Sequence, residues 1–365
     1  MEFDTFQINS DEGEEKYLNL LTLLNVKDPF FQPDYIDIFS KGLKNIVCFS
    51  YFNKENNNRI VMLVHLNPIK CLEEDIQFFD AISPYGYSGP ILSKDTDEFD
   101  IIEFWEKVDN WYFENNVVSE FIRFNLSNNH FNYSGKVVET MLNVKGEIID
   151  EDIQSKSFER KVRKNVNKAK RENLISRVYF MDIKDDKILE FFNIYIDTMV
   201  RTNASKEFHY SLDDFKRFIK INSCYCAICT VYFDSFPIAS ELVLISRDAI
   251  YSFLGGTNEN YFDKRPNDFL KVGLINWARK QNLKYYILGG GYGMEDGIFK
   301  YKRSFFPNDI VKYYTGRKIV NKSIYIKLLE KTNNYRVSIG LLELNIKDES
   351  FFPLYNLIEG NSISK

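Results

Sequence analysis

The chain has 365 residues, 44% of them apolar, which is too long for one ordinary core and reads as two globular domains. Its formal net charge of -5 argues against a general nucleic-acid binder, so DNA is not an expected partner. No apolar run is long enough to span a membrane, and the acidic start (Asp4, Asp11, Glu12, Glu14, Glu15) carries no secretory signal, so a cytoplasmic location is expected.

Five cysteines, Cys48, Cys71, Cys224, Cys226 and Cys229, make an odd count that suits reduced thiols. The run CYCAICTVYF, which holds three of them with no histidine nearby, reads as a buried strand, and no metal is expected. The abundance of Asn, Lys, Ile, Phe and Tyr suits a genome poor in G and C, hence a bacterium.

The predicted elements begin with a helix over 16–24, an aromatic turn DPFFQPDY and a second helix near 36–41. Strands follow over 46–52, 59–66 and 77–82, the last running into SPYGYSGP at Ser83–Pro90. Pro84 and Pro90 cannot donate ladder hydrogen bonds and Gly86 and Gly89 admit positive φ, so the segment is a loop. It carries Tyr85 and Tyr87 on a stiff, uncharged frame, so the rings either pack under a neighbouring layer or line a pocket. A helix over 99–115 spaces Ile102, Trp105, Val108 and Trp111 or Tyr112 along one face, and 119–126 and 136–144 read as strands.

Between the halves, residues 155–173 hold Lys156, Arg160, Lys161, Arg163, Lys164, Lys168, Lys170 and Arg171 against Glu159 and Glu172 only. Phe158, Val162, Val166 and Ala169 recur at helical spacing. The helix is either a solvated charged face or a surface for a ligand with several phosphates: coenzyme A, a nucleotide sugar or a tRNA acceptor stem.

The second half repeats the order of elements without a residue-level repeat. Helices are predicted over 187–202 and 212–221, the latter started by a Ser211/Asp214 capping box, then strands over 225–233, 238–246 and 250–254, a helix over 268–281 and a strand over 285–288. The reading divides the chain into an N-terminal domain (1–150), a C-terminal domain (151–320) that includes the basic helix, and a tail (321–365) with one helix and a less regular aromatic end.

Within the second half, Gly255 and Gly256 turn the chain after Leu254, and Asn267 caps the next helix, whose first turn holds Asp268 and whose Leu270, Leu274 and Trp277 face inward. Its following strand empties into Gly289, Gly290 and Gly291, where bare backbone permits close approach of a ligand. The run GGGYG lacks both the Lys-Ser/Thr ending of a P-loop and a dinucleotide fingerprint. GIFKYKRSFFP then interleaves Lys300, Lys302 and Arg303 with aromatic rings, either as a basic face on a packed helix or as cations beside an anionic ligand. Glu241 stands in the apolar strand PIASELVLI, so it must point into a polar cavity or pair with a cation.

In their order along about residues 30–315, SPYGYSGP, RKVRKNVNKAKREN, KEFHYSLDDF, SFLGGTNENYF, PNDFLKVGLINWARKQNLKYYILGGG and GIFKYKRSFFP resemble the FemAB-related, CelD/BioF-like branch of the GNAT-fold acyltransferases. The resemblance implies an α/β (α+β) chain of two tandem GNAT-like domains, mixed sheets flanked by helices, with the reacting groups between the domains or in the second. It implies acyl transfer, most simply of acetyl from acetyl-CoA or another acyl-CoA, to an amine on a small or nucleotide-linked acceptor such as an amino sugar or cell-surface polysaccharide precursor. An aminoacyl-tRNA-dependent transferase of the FemABX type and a non-catalytic glycan- or nucleotide-binding protein are the alternatives.

Under this reading Glu241 is the candidate base and His209 the alternative, followed by Asp296 and Tyr292. Tyr85, Gly86, Tyr87, Arg160, Arg163, Lys164, Tyr210, Gly255, Gly256, Asn267, Gly289, Gly290, Gly291, Tyr292, Lys300 and Lys302 are the candidate substrate and donor contacts. Two features depart from the pattern: no heptad arm interrupts the second half, and no Arg/Gln-x-x-Gly-x-Gly/Ala loop is present to hold a coenzyme A pyrophosphate.

Overall fold

The computed structural model describes residues 1–40, 42–70, 76–293 and 295–358. Cys71, Lys41 at the end of the second predicted helix, and the last residues of the tail lie outside this set. In chain order the elements are β1 (Glu2–Gln7), α1 (Asp11–Leu23), α2 (Pro33–Phe39), β2 (Ile46–Asn53), β3 (Asn58–Pro68), β4 (Phe79–Ile82), β5 (Ile91–Leu92), α3 (Glu98–Glu114), β6 (Val117–Arg123) and β7 (Lys136–Glu147). There follow α4 (Glu151–Ser157), α5 (Arg160–Arg171), β8 (Ile175–Phe180), α6 (Asp185–Arg201), α7 (Leu212–Ile221), β9 (Cys226–Phe233), β10 (Phe236–Ile245) and β11 (Ala249–Thr257). The last are α8 (Pro266–Lys280), β12 (Tyr285–Gly289), α9 (Gly297–Arg303), β13 (Ile310–Ile319) and α10 (Lys322–Ser338).

The chain forms two compact units, the first from Met1–Val26, Phe39–Thr140 and the chain from Tyr313 on, the second from Lys27–Ile38 and Met141–Lys312. Within the first, strands run in the order β1-β2-β3-β4-β6-β13, and within the second, β8-β9-β10-β11-β12-β7. The two orders correspond strand for strand. Among the described strands each contains a single parallel pair, β4/β6 and β11/β12, with antiparallel neighbours. The linear division at 150 and 320 therefore differs from the grouping in space. β13, at the end of the second sequence half, closes the first unit, β7, at the end of the first half, closes the second, and α10 is not a separate tail. It buries Ile324, Tyr325, Leu328 and Leu329 against Phe78 and Val118 of the first unit.

In the first unit α3 lays Phe104, Trp105, Val108 and Tyr112 on Val47, Phe49, Tyr51 and Met62. In the second, Leu270, Leu274, Ile275 and Ala278 of α8 and Val162, Val166 and Ala169 of α5 cover Ala227, Cys229, Val231 and Val243. Each fully buried aliphatic side chain of this kind stabilises the fold by about 1.5–3 kcal/mol, which is why these stripes fix where the helices lie. The predicted basic helix is interrupted at Phe158, whose backbone is extended (φ -58°, ψ 145°). Its ring is buried against Phe305, and Glu159 N donates to Ser304 O at 2.9 Å, so packing overrides helix continuation there. The Ser211/Asp214 capping box forms as predicted.

A carboxylate organises the first unit's hairpin. Asp100 is fully buried and accepts from Tyr51 OH (2.9 Å), Asn53 Nδ2 (2.7 Å), Asn56 Nδ2 (2.8 Å) and Asn58 Nδ2 (2.6 Å). Burial alone would raise its pKa, but these bonds outweigh it and hold the carboxyl below the usual range. Its contribution to stability is accordingly present above the unfolded-state carboxylate pKa and is lost as pH falls through the lowered folded value. Asp100→Ala, which orphans these donors, should destabilise the protein by about 3 kcal/mol or more in chemical denaturation at pH 7.

Candidate active site

Strands β11 and β12 pair only at Ala249↔Tyr285, Ile250↔Tyr286 and Tyr251↔Ile287. Beyond Tyr251 they part. β11 runs on to Thr257 beside β10, with the register slipping from Val243↔Ser252 to Leu242↔Leu254, so that Phe253 is an extra, bulged residue. β12 turns instead to β7, where Gly289 meets Val144. The backbone of Ser252–Gly256 is thus a strand edge opening onto a wedge in the second unit, and these residues are part-exposed.

A buried polar cluster lies at the root of this wedge. Lys271 Nζ stands 2.7 and 2.6 Å from the two carboxylate oxygens of Glu241, 2.9 Å from Ser252 Oγ and 3.2 Å from Tyr286 OH. Tyr286 OH in turn donates to Glu241 Oε1 at 2.9 Å. Glu241 is 6% exposed and Lys271 8%, so each charge depends on the other for its burial. Glu241 therefore takes the cation-paired arrangement that the sequence reading set beside general-base catalysis. Burial, then the charge of Glu241, raises the Tyr286 hydroxyl and keeps it protonated.

Lys302 extends the cluster. Its ammonium donates to Gly290 O at 2.6 Å, and burial, reinforced by repulsion from Lys271, lowers its pKa to about 8 against the opposing pull of Glu241 and Asp296. Beside it in sequence, Tyr301 has a buried hydroxyl with no hydrogen-bond partner among the described residues. Sequence reasoning missed Lys271, Ser252, Tyr286 and Tyr301 as site members. Lys271 sits on the apolar stripe of α8 between Leu270 and Leu274, and a lysine on a buried face was the available signal.

The glycines have packing causes. Gly255 and Gly256 lie inside β11 rather than turning the chain: a Cβ at Gly255 would meet Ser240 O at 2.8 Å, and one at Gly256 would meet Thr198 Oγ1 at 2.4 Å. Gly289 has φ +74° and re-aims the chain as β12 ends. A Cβ at Gly290 would meet Met141 Sδ at 2.7 Å, and one at Gly291 the Asp296 carboxylate at 2.0 Å. Asp296 caps α9, accepting from Phe299 N (2.7 Å), and also from Tyr292 N (2.5 Å) and Gly293 N (3.3 Å), so those two amides are engaged by the chain itself.

Asn267 is not the α8 cap. Arg265, in the left-handed region at φ +62°, precedes Pro266 there, and the side-chain Oδ1 of Asn267 accepts from Thr257 Oγ1. Asp268 fills the start of α8, taking a bond from Asn165 of α5 at 3.2 Å. Arg160 and Lys164 stand exposed on α5 with no ion pair among the described residues, and Arg163 donates to the carbonyls of Lys156 (2.9 Å) and Phe158. Lys300 is exposed on α9. His209 is exposed, its ring 3.3 Å from Ala204 O, and Tyr210 packs its ring on Phe215. Cys226 and Cys229 are buried in β9 and Cys224 is exposed. Among the described residues no group of His, Cys, Asp and Glu is placed to hold a metal, and no helix is long and apolar enough to cross a membrane.

In the first unit the SPYGYSGP loop has the predicted positive φ at Gly86 (94°) and Gly89 (85°). Tyr85 is 37% exposed, with Arg123 over its ring at 5.9 Å, while Tyr87 meets Tyr313 edge-on at 5.8 Å.

Residues 156–303, which hold β8–β12 and the Glu241–Lys271 pair, match the acetyltransferase (GNAT) domain family. The second unit is a GNAT acyltransferase domain, and the chain is by class an N-acyltransferase. Its fold is shared with FemX at a TM-score of 0.59 and 9% identity, over 89% of this chain and 99% of that one. L-PGS from Bacillus licheniformis aligns at 0.55 and 11%, over 86% and 94% of the two chains. The C-terminal (DUF2156) domain assigned to a lysylphosphatidylglycerol synthetase of Agrobacterium fabrum aligns at 0.51 and 13%, over 76% and 85%. No curated protein sequence matches this chain.

Proposed function

We propose that the second unit moves an acyl group, acetyl in the simplest case, from an acyl-CoA thioester to an amine, on an acceptor such as an amino sugar or polysaccharide precursor. The observation that carries this reading is the wedge between β11 and β12. An amide-bearing donor arm laid along Ser252–Gly256 would complete the strand edge as an added strand does, leaving its thioester at the root of the wedge. Exposed Arg160 and Lys164 on α5 offer charge to the donor's phosphates, whereas the start of α8 already holds the Asp268 carboxylate.

The amine must lose a proton before it attacks the acyl carbon. Lys302, with a pKa of about 8, is matched to take that proton near neutral pH. The new C–N bond forms as the C–S bond breaks, and the thiolate leaves to be protonated. In this scheme Glu241 and Lys271 are positioning residues: the pair fixes Ser252 and Tyr286 at the point where the strands part. Lys302→Met should lower kcat by about 100-fold or more and abolish a rise in rate centred near pH 8, since only the deprotonated lysine accepts the proton.

The test is release of free thiol from acetyl-CoA over a panel of amines that includes amino-sugar nucleotides. Thiol formed in step with amide supports the reading; tight donor binding with no product across the panel would leave a binding protein instead. A second reading, aminoacyl transfer from aminoacyl-tRNA, is favoured by the exposed cations of α5 and by the fold shared with the Agrobacterium domain, whose name records a lysyl product. Ribonuclease separates the two, because it would stop only the tRNA-dependent reaction.

A further inference from the structure

The correspondence between the units raises a question about the first: does it hold a second donor slot? Its parallel pair β4/β6 is the counterpart of β11/β12, and β3 is the counterpart of β10. Along β3, β4 pairs from Pro68↔Phe79 to His65↔Ile82, and the line resumes with β5 at Val61↔Ile91 and Ile60↔Leu92. β4 and β5 together thus trace the path that β11 takes unbroken beside β10. Where β11 carries one bulged residue, the first unit inserts Ser83–Pro90, which is SPYGYSGP.

That insertion is sewn to β6. Ser83 N donates to Phe121 O (2.9 Å), Arg123 N donates to Ser83 Oγ (2.9 Å), and Ser88 N donates to Arg123 O (3.0 Å). Asn129 Nδ2 then holds the carbonyls of Ser88 (2.7 Å) and Pro90 (3.0 Å), and Tyr313 OH donates to Gly86 O at 3.4 Å. The backbone groups that face an open wedge in the second unit are, in the first, satisfied by the chain's own loop.

We infer that SPYGYSGP is a built-in plug of the first unit's slot, so that the chain takes one acyl donor, in the second unit. The prolines and the positive-φ glycines follow from this role: they let the loop leave the sheet line, cross to β6 and return within eight positions. The one-donor count rests on the proposed acyl-CoA chemistry, whereas the plug rests on these hydrogen bonds alone.

Hydrogen exchange on the full chain tests the plug, and calorimetric titration with acetyl-CoA tests the count. In the free protein the amides of Ser83 and Ser88 should exchange slowly. Acetyl-CoA should bind with a stoichiometry of one and slow exchange over 252–257 while leaving 79–92 unchanged. Asn129→Ala should speed exchange at Ser88 by about tenfold or more without altering donor uptake, because it loosens the plug's far end and the Asn125 amide beside it while leaving Ser252–Gly256 untouched. Ser83 and Ser88 amides that exchange as fast as open loops and slow on adding acetyl-CoA, or a stoichiometry of two, would overturn the inference. Slow amides with no acetyl-CoA uptake keep the plug and count against the acyl-CoA reading.

Discussion

Replacing Lys271 by methionine should destabilise the protein by about 3–5 kcal/mol, because it leaves the Glu241 carboxylate buried with, among the described residues, only Tyr286 as a donor. The charge, rather than the lost hydrogen bonds, sets that magnitude. The double variant Lys271→Met/Glu241→Gln should recover most of the loss, since neither remaining side chain is ionised and their volumes are close to the originals. Denaturant midpoints of the two single variants and the double variant form a cycle that reads the coupling directly. Additive losses would mean that the pair contributes through packing alone. The double variant should still transfer acyl groups poorly, for it removes the ammonium that holds Ser252 Oγ and Tyr286 OH together.

Asp28→Asn should stabilise the second unit. Asp28 accepts from Phe30 N at 3.1 Å and from Tyr251 OH at 3.2 Å, but burial raises its pKa to about 6, with the charge of Asp248 adding to the shift. For an acid raised in the folded state, the favourable neutral form is fully populated below the unfolded value near 4. Stability is then lost as pH rises towards 6, and the loss is constant above it. Asparagine keeps an acceptor for Phe30 N without the charge, so at pH 8 the gain should be about 3 kcal/mol and should vanish at pH 4. The check is a pair of denaturation curves at each pH. A gain that is the same at pH 4 and pH 8 would show that ionisation of Asp28 is not its cause.

Much of the fold was legible from period and punctuation. The helices over 99–115, 187–202, 212–221 and 268–281 appear within about two residues, because each carries an apolar stripe bounded by caps. The strands β1, β8 and β13 were not seen. β1 and β8 are edge strands that alternate exposed and part-buried positions with no continuous apolar run, and β13 spreads charge through KYYTGRK. Nor could the sequence show that β13 completes the first unit and β7 the second, since register between distant strands leaves no local mark. At the site, Glu241 stood out because a carboxylate in an apolar strand needs a reason. Lys271 did not, because a long cation on a helix is ordinarily solvated. The GGG run attracted a ligand-binding reading on account of its bare backbone, yet Gly290 and Gly291 are small because Met141 and Asp296 lie against them.

The most direct test is a structure of the chain with coenzyme A or a non-hydrolysable acyl-CoA bound. The account predicts the donor arm hydrogen-bonded along Ser252–Gly256, with its sulfur nearest Lys302 and Tyr301. A donor seated anywhere in the first unit, or one that leaves the β11 edge uncovered, would contradict it.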